Sequence, residues 1–109
     1  MTRSDALRIA DIVAACQELS PIQHRGYEVF LDDPILQRAA ERLLEIIGEA
    51  ANQLSEQCRK EYPNTPWADI RRFRIFVAHE YFRIEPTQIW ETLEIHVPTL
   101  LADLLPEVE

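Results

Sequence analysis

Leu36, Ala40, Leu43, Ile47, Ala50, Leu54 and Cys58 recur at intervals of three and four residues. That stripe constrains the fold more than any other feature of the chain. Side chains spaced in this way lie on one face of an α-helix. Gln37, Arg38, Glu41, Arg42, Glu45 and Glu49 are among the polar positions. Asp33-Pro34 offers a cap and a first helical residue. The spacing predicts one helix from there to about Glu61, where Tyr62-Pro63-Asn64 ends it. A helix of that length with one apolar face must be covered by other elements.

Those elements read as helices too. Thr2 and Asp5 have capping-box spacing, with Ile9, Ile12, Val13, Cys16 and Leu19 behind them at helical intervals. Ser20-Pro21 with Gln23 reads as the start of a short second helix that the Asp32-Asp33 pair ends. Thr65-Pro66 opens a fourth helix through about Phe82, and Glu85-Pro86 a fifth that ends near Leu105, kinked at Pro98. No stretch of useful length alternates as a strand would. Two glycines in 109 residues are too few for a strand-and-turn protein or a phosphate-cradling loop. The expectation is an all-α, antiparallel bundle of four to five helices, residues 1–109 forming a single domain.

Several function classes are disfavoured. Apolar runs fall short of the roughly 20 residues that span a bilayer, and no basic-then-apolar leader opens the chain. A cytoplasmic protein that keeps away from membranes is expected. Cys16 and Cys58 sit at interior helical positions without neighbouring cysteines, as reduced core thiols do. His24, His79 and His96 are scattered, so neither a metal site nor a cofactor is expected. The net charge of −8 opposes a general nucleic-acid coat. It is, however, uneven. Arg71, Arg72, Arg74 and Arg83 face only Glu80 within residues 71–83, a local charge of +3 that leaves −11 elsewhere. An anionic partner would be met there.

The fourth helix is apolar nearly all round, with Trp67, Ile70, Phe73 and Val77 on one side and Ile75, Phe76, Ala78 and Phe82 around the others. One small bundle rarely encloses a helix completely, so a second copy of the chain is the expected cover, in a symmetric homodimer. Arg74 and Tyr81, seven positions apart, point the same way within about 20°, whereas His79 is roughly 140° from Arg74. A groove shared by two copies can still unite these groups. Such a set suits metal-free phosphodiester chemistry. Histidine moves protons at neutral pH, and an arginine fork holds phosphate oxygens. On spacing alone a plainer assignment comes first: Arg74 pairs with a carboxylate of the third helix, His79 is a satisfied interior histidine, and Tyr81 is core. Trp67 and Trp90 likewise read as core before base-stacking platforms.

The wider stretch adds to this. PNTPWADIRRFRIFVAHEYFRIEPTQIWETLEIHVPTL resembles the HepT-like members of the HEPN superfamily. Their signature falls here on Pro66-Trp67, Arg74, His79, Tyr81, Phe82, Trp90 and Val97-Pro98, with Ile47-Gly48-Glu49-Ala50 matching the long helix. The resemblance implies a HEPN-like dimer whose composite groove is a metal-independent endoribonuclease site. It further implies the toxin of a type VII toxin–antitoxin pair, acting on RNA such as tRNA or mRNA. The implied partner is a minimal nucleotidyltransferase antitoxin of the MntA type, which adds AMP to the motif tyrosine. Position by position, Arg74 and His79 become the catalytic pair and Tyr81 the modified residue, with Arg71, Arg72 and Arg83 as candidate phosphate contacts. One position departs from the pattern. Ile75 stands where many relatives carry a polar residue, commonly asparagine. The alternative is therefore a weak or inactive HEPN module that binds the nucleotidyltransferase without cutting RNA.

Overall fold

In a computed structural model of the chain, residues 1–74 and 85–109 are described. Expectations placed on residues 75–84, including the end of the fourth helix and the roles of Ile75, His79, Tyr81 and Arg83, lie outside them. All regular structure among the described residues is helical. Helix α1 spans Arg3–His24, α2 Tyr27–Asp32, α3 Pro34–Gln53, α4 Glu56–Lys60 and α5 Trp67–Arg71. Helix α6 spans Pro86–Glu91, a π-helical turn Thr92–His96, and α7 Val97–Leu104, before a short 3₁₀ turn. No helix is long and apolar enough to cross a membrane among the described residues.

The capping box at Thr2 is formed: Thr2 Oγ1 accepts the Asp5 N–H at 3.0 Å, and the Asp5 carboxylate accepts the Thr2 N–H at 3.3 Å. Asp33 caps α3 with Pro34 behind it, accepting from the amides of Ile35 and Leu36 at 2.9 and 3.3 Å. Helices α1 and α3 form the centre of the core. Ile9, Ile12, Cys16 and Leu19 belong to the same buried cluster as Ala40, Leu44, Ile47 and Ala51. Both cysteines are free and buried. Burial pushes the Cys16 thiol up to about 12 and raises that of Cys58, so both stay protonated.

Two expected boundaries are corrected. The predicted start at Ser20-Pro21 does not exist, because α1 continues through Pro21 to His24. An interior proline costs about 3 kcal/mol. Burying Leu19 and Ile22 on the core face offsets it, at roughly 1.5–3 kcal/mol for each such side chain. The real break comes at Arg25-Gly26, where Gly26 takes φ 95°, a conformation that favours glycine.

The long helix predicted to Glu61 instead ends at Gln53. Leu54 and Ser55 are extended (ψ 144° and 153°) before α4 starts. The cause is tertiary. Asp5 Oδ1 accepts the Ser55 N–H at 2.8 Å and Oδ2 accepts its hydroxyl at 2.7 Å, while Ser55 Oγ accepts the Cys58 N–H at 3.1 Å. The Arg59 guanidinium then donates to the freed Leu54 carbonyl. The apolar seam survives the break, since Leu54 and Cys58 are both buried.

At the expected kink near Pro98 the helix carries a π turn, Thr92–His96. Proline offers no N–H to the carbonyl four residues back. The Val97 N–H reaches Thr92 O, five residues back, and Thr99 Oγ1 donates to Ile95 O at 3.2 Å.

Candidate active site

The segment that carries the arginines is anchored before it becomes helical. Buried Thr65 donates its hydroxyl to Asp103 Oδ2 at 3.0 Å, which ties it to α7. The Trp67 indole N–H is shared between the carbonyls of Arg59 and Tyr62, at 3.1 and 3.2 Å. Its ring stands edge-on to Tyr62 with centroids 6.3 Å apart. Burial pushes the Tyr62 phenol well above its usual range, with Glu107 adding to the shift. Trp90 is buried against Tyr27 and Phe30, centroids 5.8 and 5.5 Å away, and donates to Glu94 at 2.7 Å. Both tryptophans are core residues, as their positions suggested.

Helix α5 then crosses α3 at Gly48. A Cβ on Gly48 would lie 2.5 Å from the Arg74 backbone nitrogen, 3.1 Å from Phe73 Cβ and 3.2 Å from the Ile70 carbonyl oxygen. Only a residue without a side chain permits that approach. In the sequence Gly48 stands only as one residue of the Ile47-Gly48-Glu49-Ala50 match, with no task attached to it. A glycine inside a strongly helical pattern was the available signal.

Of the six nominated site residues, Arg71, Arg72 and Arg74 are described. Arg71 and Arg74 are three residues apart, the helical spacing of same-face neighbours. The Nε atoms of both are buried and have no hydrogen-bond acceptor among the described residues. Arg72 is exposed, and its Nη1 lies 3.6 Å from Asp69 Oδ1. Such an exposed pair contributes about 0–1 kcal/mol. The plainer assignment for Arg74 is not made among the described residues, since no α3 carboxylate pairs with it. Glu41 and Glu45 are instead engaged by Arg38 and Arg42 at 3.3 and 2.9 Å.

A cleft of about 500 Å³ opens between α5 and the C-terminal helices. Ile70, Phe73, Leu44, Ile89, Val97 and Leu100 supply apolar lining, with Asp69, Arg72, His96 and Asp103 also present. The cleft includes Arg72 but neither Arg71 nor Arg74. The arginines therefore divide, one onto the cleft and two elsewhere. Among the described residues no group of three or more histidine, cysteine or acidic side chains could hold a metal ion.

Comparison with known proteins decides the family. The family model described as ribonuclease HepT-like matches residues 9–105. The chain belongs to the ribonuclease HepT-like family. A HepT-like relative from Thermococcus cleftensis, "Probable ribonuclease HepT", is 32% identical over 101 residues, covering 92% of each chain. "Putative RNase TTE0752" of Caldanaerobacter subterraneus subsp. tengcongensis is 42% identical over 75 residues, covering 69% of this chain and 67% of that one. "Putative RNase MJ1216" of Methanocaldococcus jannaschii is 31% identical over 74 residues, covering 68% of this chain and 61% of that one. In these last two the match spans about two thirds of the relative's own length or less. No solved structure matches.

Proposed function

We propose that this HepT-like chain is a metal-independent endoribonuclease, the toxin of a toxin–antitoxin pair, acting in the cytoplasm as a homodimer of single-domain subunits. One observation carries the reading. The family match runs through residues 9–105, a range that contains Arg74, His79 and Tyr81. RNA supplies its own nucleophile. The ribose 2′-oxygen attacks phosphorus as His79 takes its proton, and the bond to the 5′-oxygen breaks as that oxygen gains one. A second histidine from the partner copy is the natural donor. Arg74 holds the non-bridging oxygens while charge builds on them. Arg71, Arg72 and Arg83 extend the phosphate track, with tRNA or mRNA as substrate. The Nε atoms of Arg71 and Arg74, buried and without an acceptor among the described residues, support an anion-directed role.

Tyr81 is the proposed acceptor of AMP from an MntA-like nucleotidyltransferase. The added group would place bulk and negative charge on the helix face of Arg74, where a phosphate would bind. On co-expression with that partner, intact-mass analysis is expected to show added AMP on wild type and none on Tyr81→Phe. Adenylylation surviving in Tyr81→Phe would remove this assignment.

The nuclease reading is tested by expressing wild type and His79→Ala in cells lacking the partner. Wild type should arrest growth and fragment RNA, and His79→Ala should do neither. Equal growth with intact RNA in both favours the second reading, an inactive module that only binds the nucleotidyltransferase. Ile75 and the net charge of −8 are the observations behind that alternative.

A further inference from the structure

We propose that Gly48 is the positioning residue for Arg74: the missing side chain sets how closely the arginine-bearing segment lies on α3, and hence where the guanidinium stands. The atoms that a Cβ would meet belong to residues 70, 73 and 74. These are positions i, i+3 and i+4 of helical spacing, and so one stripe along one face. Two of the three are backbone atoms, the Ile70 carbonyl oxygen and the Arg74 nitrogen. Rotating a side chain relieves neither contact. A methyl group at 48 must therefore lift the segment itself, and the separation of 2.5 Å at Arg74 is the tightest of the three.

The far end of the segment cannot follow freely. Thr65 is tied to Asp103, and the Trp67 indole to two carbonyls. With its start pinned, the segment would pivot, and the displacement would be largest toward Arg74. Close-packed interiors pass on such a shift instead of absorbing it. Placement errors near 1 Å in a reacting constellation cost about 100-fold in rate. The catalytic consequence rests on the nuclease reading; the displacement rests on geometry alone.

The experiment pairs position with activity. In full-length wild type, Gly48→Ala, Arg74→Ala and the double variant, cleavage of end-labelled bulk tRNA is followed under conditions where each protein is folded. In wild type and Gly48→Ala, the Arg74 Nε–Hε resonance is followed by ¹⁵N NMR. Gly48→Ala is expected to move that resonance and slow cleavage about 100-fold. It should cost little further in the Arg74→Ala background, where its target is gone. An unmoved resonance, or the full extra loss in that background, overturns the proposal. If Arg74→Ala cleaves like wild type, the catalytic role given to Arg74 in the nuclease reading fails, and the resonance still decides the positioning. If Gly48→Ala does not fold, the wild-type nuclear Overhauser contact between Gly48 Hα and the Arg74 amide decides. Its presence supports the proposal and its absence overturns it.

Discussion

Purified His79→Ala protein is expected to cleave RNA about 10²–10⁴-fold more slowly than wild type, the usual contribution of a positioned acid–base group. Arg74→Ala should lose about 10²–10³-fold, as when a preorganised donor to developing charge is removed. Lysine at 74 should recover only part of this. It keeps the charge but not the two-pronged geometry that fits a phosphate. The two losses should not multiply in a double variant, because both groups serve one transition state. A chelator should leave the wild-type rate unchanged. End-labelled tRNA incubated with each variant measures all of these. Activity retained by both single variants would remove Arg74 and His79 as the catalytic pair, whereas no cleavage by wild type would leave the chain as a binding module, in line with Ile75.

Asp5→Ala is expected to lower the melting temperature by on the order of 10 °C. Asp5 is 2% exposed, yet it is charged. Its carboxylate accepts the Thr2 amide, the Ser55 amide and the Ser55 hydroxyl at 3.3, 2.8 and 2.7 Å. Removing it strips α1 of half its capping box and leaves two donors at the α3–α4 junction without their acceptor. Asparagine should rescue little, since it offers one acceptor oxygen where the carboxylate offers two. The same bonds to Ser55, with the weaker ones to Thr2, hold the Asp5 carboxyl down at about 2 from its ordinary 3.8. A folded-state pKa below the unfolded one means stability that is present above about pH 4. That stability is lost as the pH falls from there through about 2. Thermal melts followed by circular dichroism between pH 2 and 7 should show this loss in wild type and a shallower slope in Asp5→Asn. An identical slope would assign the acid sensitivity to other carboxylates.

The candidate site was partly legible in the sequence. Arg74, His79 and Tyr81 stand out because polar groups in an apolar helix need an explanation, and the local excess of arginine marks where an anion would go. The division of the arginines was not legible. Arg72 has Asp69 three residues before it, whereas Arg71 and Arg74 make no ion pair among the described residues. Nothing local announced the cleft either, because its walls come from α3, α5 and the C-terminal helices.

The all-α class, the caps at Thr2 and Asp33 and the buried seam of α3 were determined by the sequence alone. Each depends on relations between residues at most four apart, which hold wherever the helix later packs. The tertiary structure alone decided where helices stop and how closely they approach. Asp5 breaks the long helix at Ser55 from fifty positions away. The buried face of α1 carries that helix through Pro21, and Gly48 brings the Arg74 backbone onto α3. In each case a distant group outweighs the local preference, because a buried donor, an apolar side chain or a close backbone contact is satisfied only by atoms that folding brings together.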